Sequence, residues 1–156
     1  MTASSPLRQH INDALKTAML GKDQATVDAC RLINAKIKDA DIAARPKADA
    51  IDDGALLSLL QGMVKSRRES IELYQKGGRA ELAAKEQAEI DVINRFLPKQ
   101  LSEAETKEII KKAIAETGAA SVKDMGKVMG VLKTQYAGQV DFSQAGNWVK
   151  DALNAA

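Results

Sequence analysis

Residues Asp53–Leu97 read DGALLSLLQGMVKSRRESIELYQKGGRAELAAKEQAEIDVINRFL, and this stretch decides the fold. At about 100° per residue, Leu56, Leu59, Leu60, Met63, Val64, Ile71 and Tyr74 fall on one broad face, the pattern of a helix buried along one side. Gly77-Gly78 breaks that helix after Lys76. A second helix from Arg79 to Phe96 aligns Leu82, Ile90 and Ile93 with Leu97, and stops before Pro98. So short a break predicts an antiparallel helical hairpin.

The same signals recur on both sides of the hairpin. Upstream, Ser5-Pro6 fits an N-cap with proline at the first helical position, opening a helix to Leu20. Gly21 ends it, Asp23 starts a second helix to Ala44, and Arg45–Ala50, with Pro46, reads as a connection to the cap at Asp52 or Asp53. Downstream, Ser102 and Glu105 form a capping box for a helix ending at Gly118. Ser121 with Asp124 opens a sixth helix ending near Tyr136, and Asp141 or Ser143 a seventh reaching Leu153. The expectation is an all-α chain with a four-helix domain over residues 1–98 and a small three-helix domain over residues 99–156, hinged at Leu97–Leu101.

Composition agrees with that class. The 45% apolar share against 28% charged is globular. With aromatics at 3%, the core must be aliphatic, a palette that favours helices. Net charge is +2, with 15 basic against 14 acidic side chains before residue 99 and 8 against 7 after it. No half carries the excess of a strong nonspecific nucleic-acid binder, so any such binding needs a local patch. The lone Cys30 forms no intramolecular disulfide, and the opening MTASSPLRQH lacks a secretory pattern. No apolar run approaches 18 residues. These features lead to the expectation of a cytoplasmic protein without a membrane span.

Two helix faces carry more than packing. Arg67 falls within the apolar face of the third helix and Glu86 within that of the fourth, at similar heights once the hairpin folds. An Arg67–Glu86 ion pair is therefore predicted, since an unpaired buried charge is costly. The pair either fixes helix register or places Arg67, with Arg68 beside it, in a groove for an acidic or phosphate ligand. In the sixth helix, Val122, Met125, Val128, Met129, Leu132 and Tyr136 form the apolar face. Beside it lies an arc of Lys123, Gly126, Lys127, Gly130, Lys133 and Thr134, read as free of acidic residues. An interior helical glycine costs on the order of 1 kcal/mol relative to alanine. Gly126 and Gly130 either accept a neighbouring helix or leave backbone bare for a phosphate-bearing partner.

Catalytic signatures are missing from the sequence. His10 and Cys30 are the only residues of their types and lie far apart, a poor nucleophile pair or zinc site. There is no glycine-rich phosphate loop, and no carboxylate pair in an evident cleft. No catalytic residue, metal or cofactor is expected.

Four blocks match a known family: Arg31–Lys38 (RLINAKIK), Met63–Ile71 (MVKSRRESI), Gly78–Ala83 with Glu86 through Pro98, and Asp124–Gly130 (DMGKVMG), joined by Gly138 and Asp141. In order and spacing they resemble the GatB/YqeY family from about Leu7 to Leu153. The resemblance implies a helical domain followed by a three-helix domain like the tail of the B subunit of the aspartyl/glutamyl-tRNA amidotransferase, a module that helps hold tRNA without the transamidation chemistry. It places the tRNA-facing surface at Asp124–Gly130, with Arg67–Arg68 as a second candidate. Phe142, where many relatives have a small residue, departs from the pattern and puts contacts at the last helix in doubt. The function implied is a tRNA-binding accessory protein. Its alternatives are an adaptor docking to an aminoacyl-tRNA synthetase or amidotransferase, and a component of a carbon–nitrogen ligase using glutamine as amido donor.

Overall fold

The computed structural model describes residues 5–155, and within them there are seven α-helices, one short 3-10 turn and no strand. Helices α1 (Pro6–Leu20), α2 (Gln24–Ala44), α3 (Asp53–Lys76) and α4 (Ala80–Asn94) are followed by α5 (Glu103–Thr117), α6 (Met125–Gln135) and α7 (Phe142–Asn154). Contacts divide the chain into two compact units, one through Leu97 and one from Pro98.

In the first unit, α3 and α4 form the hairpin. Gly78 adopts φ +70 at its turn, a conformation that side-chain-bearing residues rarely take. Asp52 rather than Asp53 caps α3, its carboxylate accepting from the Ala55 N–H at 2.8 Å. Helix α4 ends at Asn94, two residues short of the expected Phe96, because Arg95, Phe96 and Leu97 donate three residues back, at 3.1, 3.0 and 3.3 Å, and tighten the chain into turns before Pro98. The core of this unit joins Ile11, Cys30, Ile33, Leu56, Leu60, Ile90 and Ile93 from all four helices, with Phe96 below them. Arg8 ties the ends together. It donates two bonds to Asp41, at 2.9 and 2.7 Å, and one to the Ile51 carbonyl, while Asp41 also accepts the Ile51 N–H. Ser5 reaches Asp53 beside them. This bidentate pair fixes the start of α1 against the α2–α3 connection. His10 is exposed, with its ring edge-on to Phe96 at 5.0 Å between centroids.

The second unit is three helices around Ile110, Ala113, Val128, Leu132, Val140, Ala145, Val149 and Leu153. Both halves of the capping box at Ser102 and Glu105 form. Gly118 closes α5 in the left-handed conformation at φ +69. Asp141 caps α7, accepting from the Ser143 N–H.

Candidate nucleic-acid interface

The sixth helix differs from its sequence reading at its start. Ser121 caps a 3-10 turn, Val122–Asp124, accepting the Lys123 N–H, and the α-helix begins only at Met125. The cause is Asp124, whose carboxylate turns back to accept the Ala120 N–H at 2.9 Å instead of capping the following turn. Lys123 therefore leaves the regular arc projected for it, while Gly126, Lys127, Gly130 and Lys133 stay on α6. Val128 and Leu132 are fully buried beneath, so the opposite side of α6 faces solvent.

That side is bare. Gly126 and Gly130 are both exposed, and a Cβ added at either would meet no atom within 4 Å. The expectation that they accept a neighbouring helix finds no such neighbour in the described chain. Thr134 folds back to donate to the Gly130 carbonyl at 2.8 Å, so the hydroxyl of the arc is engaged. Lys127 and Lys133 are exposed on α6 with the glycines, and Lys123 is exposed in the 3-10 turn that precedes it.

The expectation of an arc free of acidic residues is not met, because Asp124 lies beside it. Lys127 Nζ lies 3.9 Å from Asp124 Oδ1. Donation from Ala120, then from Ser121, with the Lys127 charge behind them, keeps the Asp124 carboxyl below the ordinary aspartate value against some desolvation. The Lys127–Asp124 contact is long and exposed on the lysine side, and such i,i+3 pairs contribute little. It trims the positive field at one end of the arc and leaves Lys123 and Lys133 without a salt-bridge partner among the described residues.

The second candidate, Arg67–Arg68, has a different character. Arg67 is largely buried between α3 and α4, its side chain 12% exposed. Its Nε donates to Glu89 Oε2 at 2.9 Å and lies 3.8 Å from Glu86 Oε2, while Nη1 reaches the Met63 carbonyl at 3.4 Å. The guanidinium thus meets two carboxylates, and the direct hydrogen bond goes to Glu89. Sequence reasoning missed Glu89, although it lies three residues after Glu86, one turn along the same helix, and so was available to it. Nε and Nη1 of Arg67 are thus engaged inside the hairpin, and of the two arginines Arg68 alone is exposed.

Among the described residues, no group of three or more His, Cys, Asp or Glu side chains is arranged to hold a metal ion. No helix there is long and apolar enough to cross a membrane.

The described residues form an all-helical protein in which α6 alone presents a glycine face with exposed lysines beside it. Residues 8–153 match the family model described as Yqey-like protein, and the chain belongs to that family. It is similar to the protein named "Altered inheritance of mitochondria protein 41, mitochondrial" in three fungi. In Pyrenophora tritici-repentis it is 36% identical over 76% of this chain and 67% of the relative. In Eremothecium gossypii the figures are 38%, 56% and 47%, and in Saccharomyces cerevisiae 32%, 53% and 44%. The chain thus spans about two thirds of the first relative and about half of the others. These names overturn the cytoplasmic expectation, since the relatives are mitochondrial by name. That expectation rested on the missing secretory pattern, and an apolar leader is only one kind of address.

Proposed function

We propose that this chain is a tRNA-binding accessory protein, related to the tail of a tRNA-dependent amidotransferase and without a catalytic centre of its own. The exposed side of α6 is its RNA-facing surface. The observation that carries this reading is the pair Gly126 and Gly130, in the first turn and the middle of α6, each exposed with no atom within 4 Å of a would-be Cβ. Exposed helical glycines weaken a helix, most of all in its interior, and no neighbour among the described residues accounts for them. Bare backbone lets a phosphate strand approach closely, and Lys123, Lys127 and Lys133 supply the counter-charge. Membership of the Yqey-like family supports an accessory role of this kind.

Replacing Lys123, Lys127 and Lys133 together by glutamate should abolish retention of tRNA on a filter, with the fold kept, because all three are exposed. Retention equal to that of the unmodified chain would defeat the reading. The glycine pair would also admit a partner helix, and that second reading has its own signature. A synthetase or amidotransferase would then be recovered after RNase treatment, with little dependence on salt.

A further inference from the structure

A cleft of about 250 Å³ opens between α5 and α7, lined by Lys107, Ile110 and Lys111 on one helix and by Trp148, Asp151 and Ala152 on the other. No residue of α6 contributes, so this is a different surface from the glycine face. We propose that it takes one unpaired nucleobase of a bound RNA, stacked against Trp148. The inference rests on the reading that the chain binds RNA and adds a second point of contact.

Four features point to a base. Trp148 is the sole tryptophan of a chain whose core is aliphatic, and it is only half-buried and lines the cleft. The volume lies below the roughly 300–1,000 Å³ of sites for drug-sized ligands, and suits a single ring. Charge is asymmetric across the opening, with lysines along the α5 edge and a carboxylate on α7. A nucleotide has the matching asymmetry: its phosphate meets Lys107 and Lys111, and an amino group on the base edge donates to Asp151. Lys107 Nζ now lies over the Trp148 ring, 6.0 Å from its centroid; a stacked base takes that place and leaves the cation at its rim, beside the phosphate.

The lysines have partners now: Lys107 meets Glu103 at 2.9 Å and Lys111 meets Glu108 at 3.5 Å. Both are exposed pairs along one helix, which a phosphate can displace at small cost.

Because Trp148 is the only tryptophan, its emission reports the cleft directly. A single-stranded hexanucleotide containing all four bases should quench it saturably in the full chain, and a blunt duplex of the same sequence should not. Labelled-hexanucleotide anisotropy should show affinity falling about tenfold in Trp148→Leu, and comparably in Lys107→Gln combined with Lys111→Gln. Both lysines are largely exposed, so their replacement leaves the buried core of the unit unchanged. Emission unmoved by the hexanucleotide while tRNA is still retained on a filter overturns the cleft inference and leaves the α6 reading standing. Quenching that persists when tRNA retention fails does the reverse. Self-association abolished by Trp148→Leu, with no quenching by RNA, would assign the cleft to a second copy and likewise overturn the nucleobase.

Discussion

Replacing Gly126 and Gly130 together by alanine should make the protein more stable and a poorer RNA binder. The magnitude follows from the surroundings: Gly130 lies in the middle of α6 and Gly126 in its first turn, and a methyl group at either position meets nothing within 4 Å. There is then no clash to offset the gain in helix propensity, which is about 1 kcal/mol at the interior Gly130 and smaller at the helix start. Together they contribute roughly 1 kcal/mol, a rise in melting temperature on the order of 4–8 °C for a unit of this size. Urea or thermal unfolding followed by Trp148 emission reads the unit that contains α6. Gly62→Ala is the control, since Gly62 is also exposed inside a helix with nothing within 4 Å, but in the other unit. It should stabilise, read by helical circular dichroism, and leave tRNA retention unchanged. Loss of stability in the double variant would mean that α6 is not the bare helix described. Gained stability with tRNA retention intact would remove the glycines from the binding argument.

The register pair ranks its own members. Removal of Glu89, which takes the 2.9 Å bond, should cost more in urea unfolding than removal of Glu86 at 3.8 Å, and equal losses would contradict the geometry. Arg67→Met should cost about 1–3 kcal/mol, less than a fully buried pair because the carboxylates stay partly wet, with tRNA retention kept. Asp41 gives a pH dependence: the hydrogen bond from Arg8 holds its carboxyl below the ordinary aspartate value. A depressed folded value stabilises above the unfolded one and is lost as pH falls through the folded one. The stability gap between the unmodified chain and Asp41→Asn should therefore be full near pH 6 and close below about pH 4. A gap constant down to pH 2 would deny the ion pair. Finally, residues 98–156 are proposed to fold alone, which a cooperative melt of that fragment would support and a featureless one would oppose.

The helices were legible because their punctuation is local. Gly77-Gly78, the Ser102–Glu105 box and Pro6 each act on their own turn, and the aliphatic faces of α3 and α4 repeat at the helical period. What escaped were choices made by side chains with two options. Asp124 could cap the next turn or bond backward to Ala120, and its backward turn replaces one α-helical turn with a 3-10 turn and moves Lys123 off the arc. Glu86 and Glu89 compete for one guanidinium, a contest decided by a rotamer. The cleft at Trp148 was out of reach because it joins α5 to α7, and periodicity orders residues along one helix without pairing two. In the same way, the sequence put Gly126 and Gly130 on one face but could not say what lay opposite, and it is the lack of a neighbour among the described residues that gives them meaning.

The most direct test is a titration of fluorescently labelled tRNA with the full chain at 50 and 200 mM salt. Three lysine–phosphate contacts predict a logarithmic salt slope of roughly −2.7, a loss of affinity of about fortyfold across that range. An affinity that stays level between the two concentrations, or no binding at the lower one, would contradict the account.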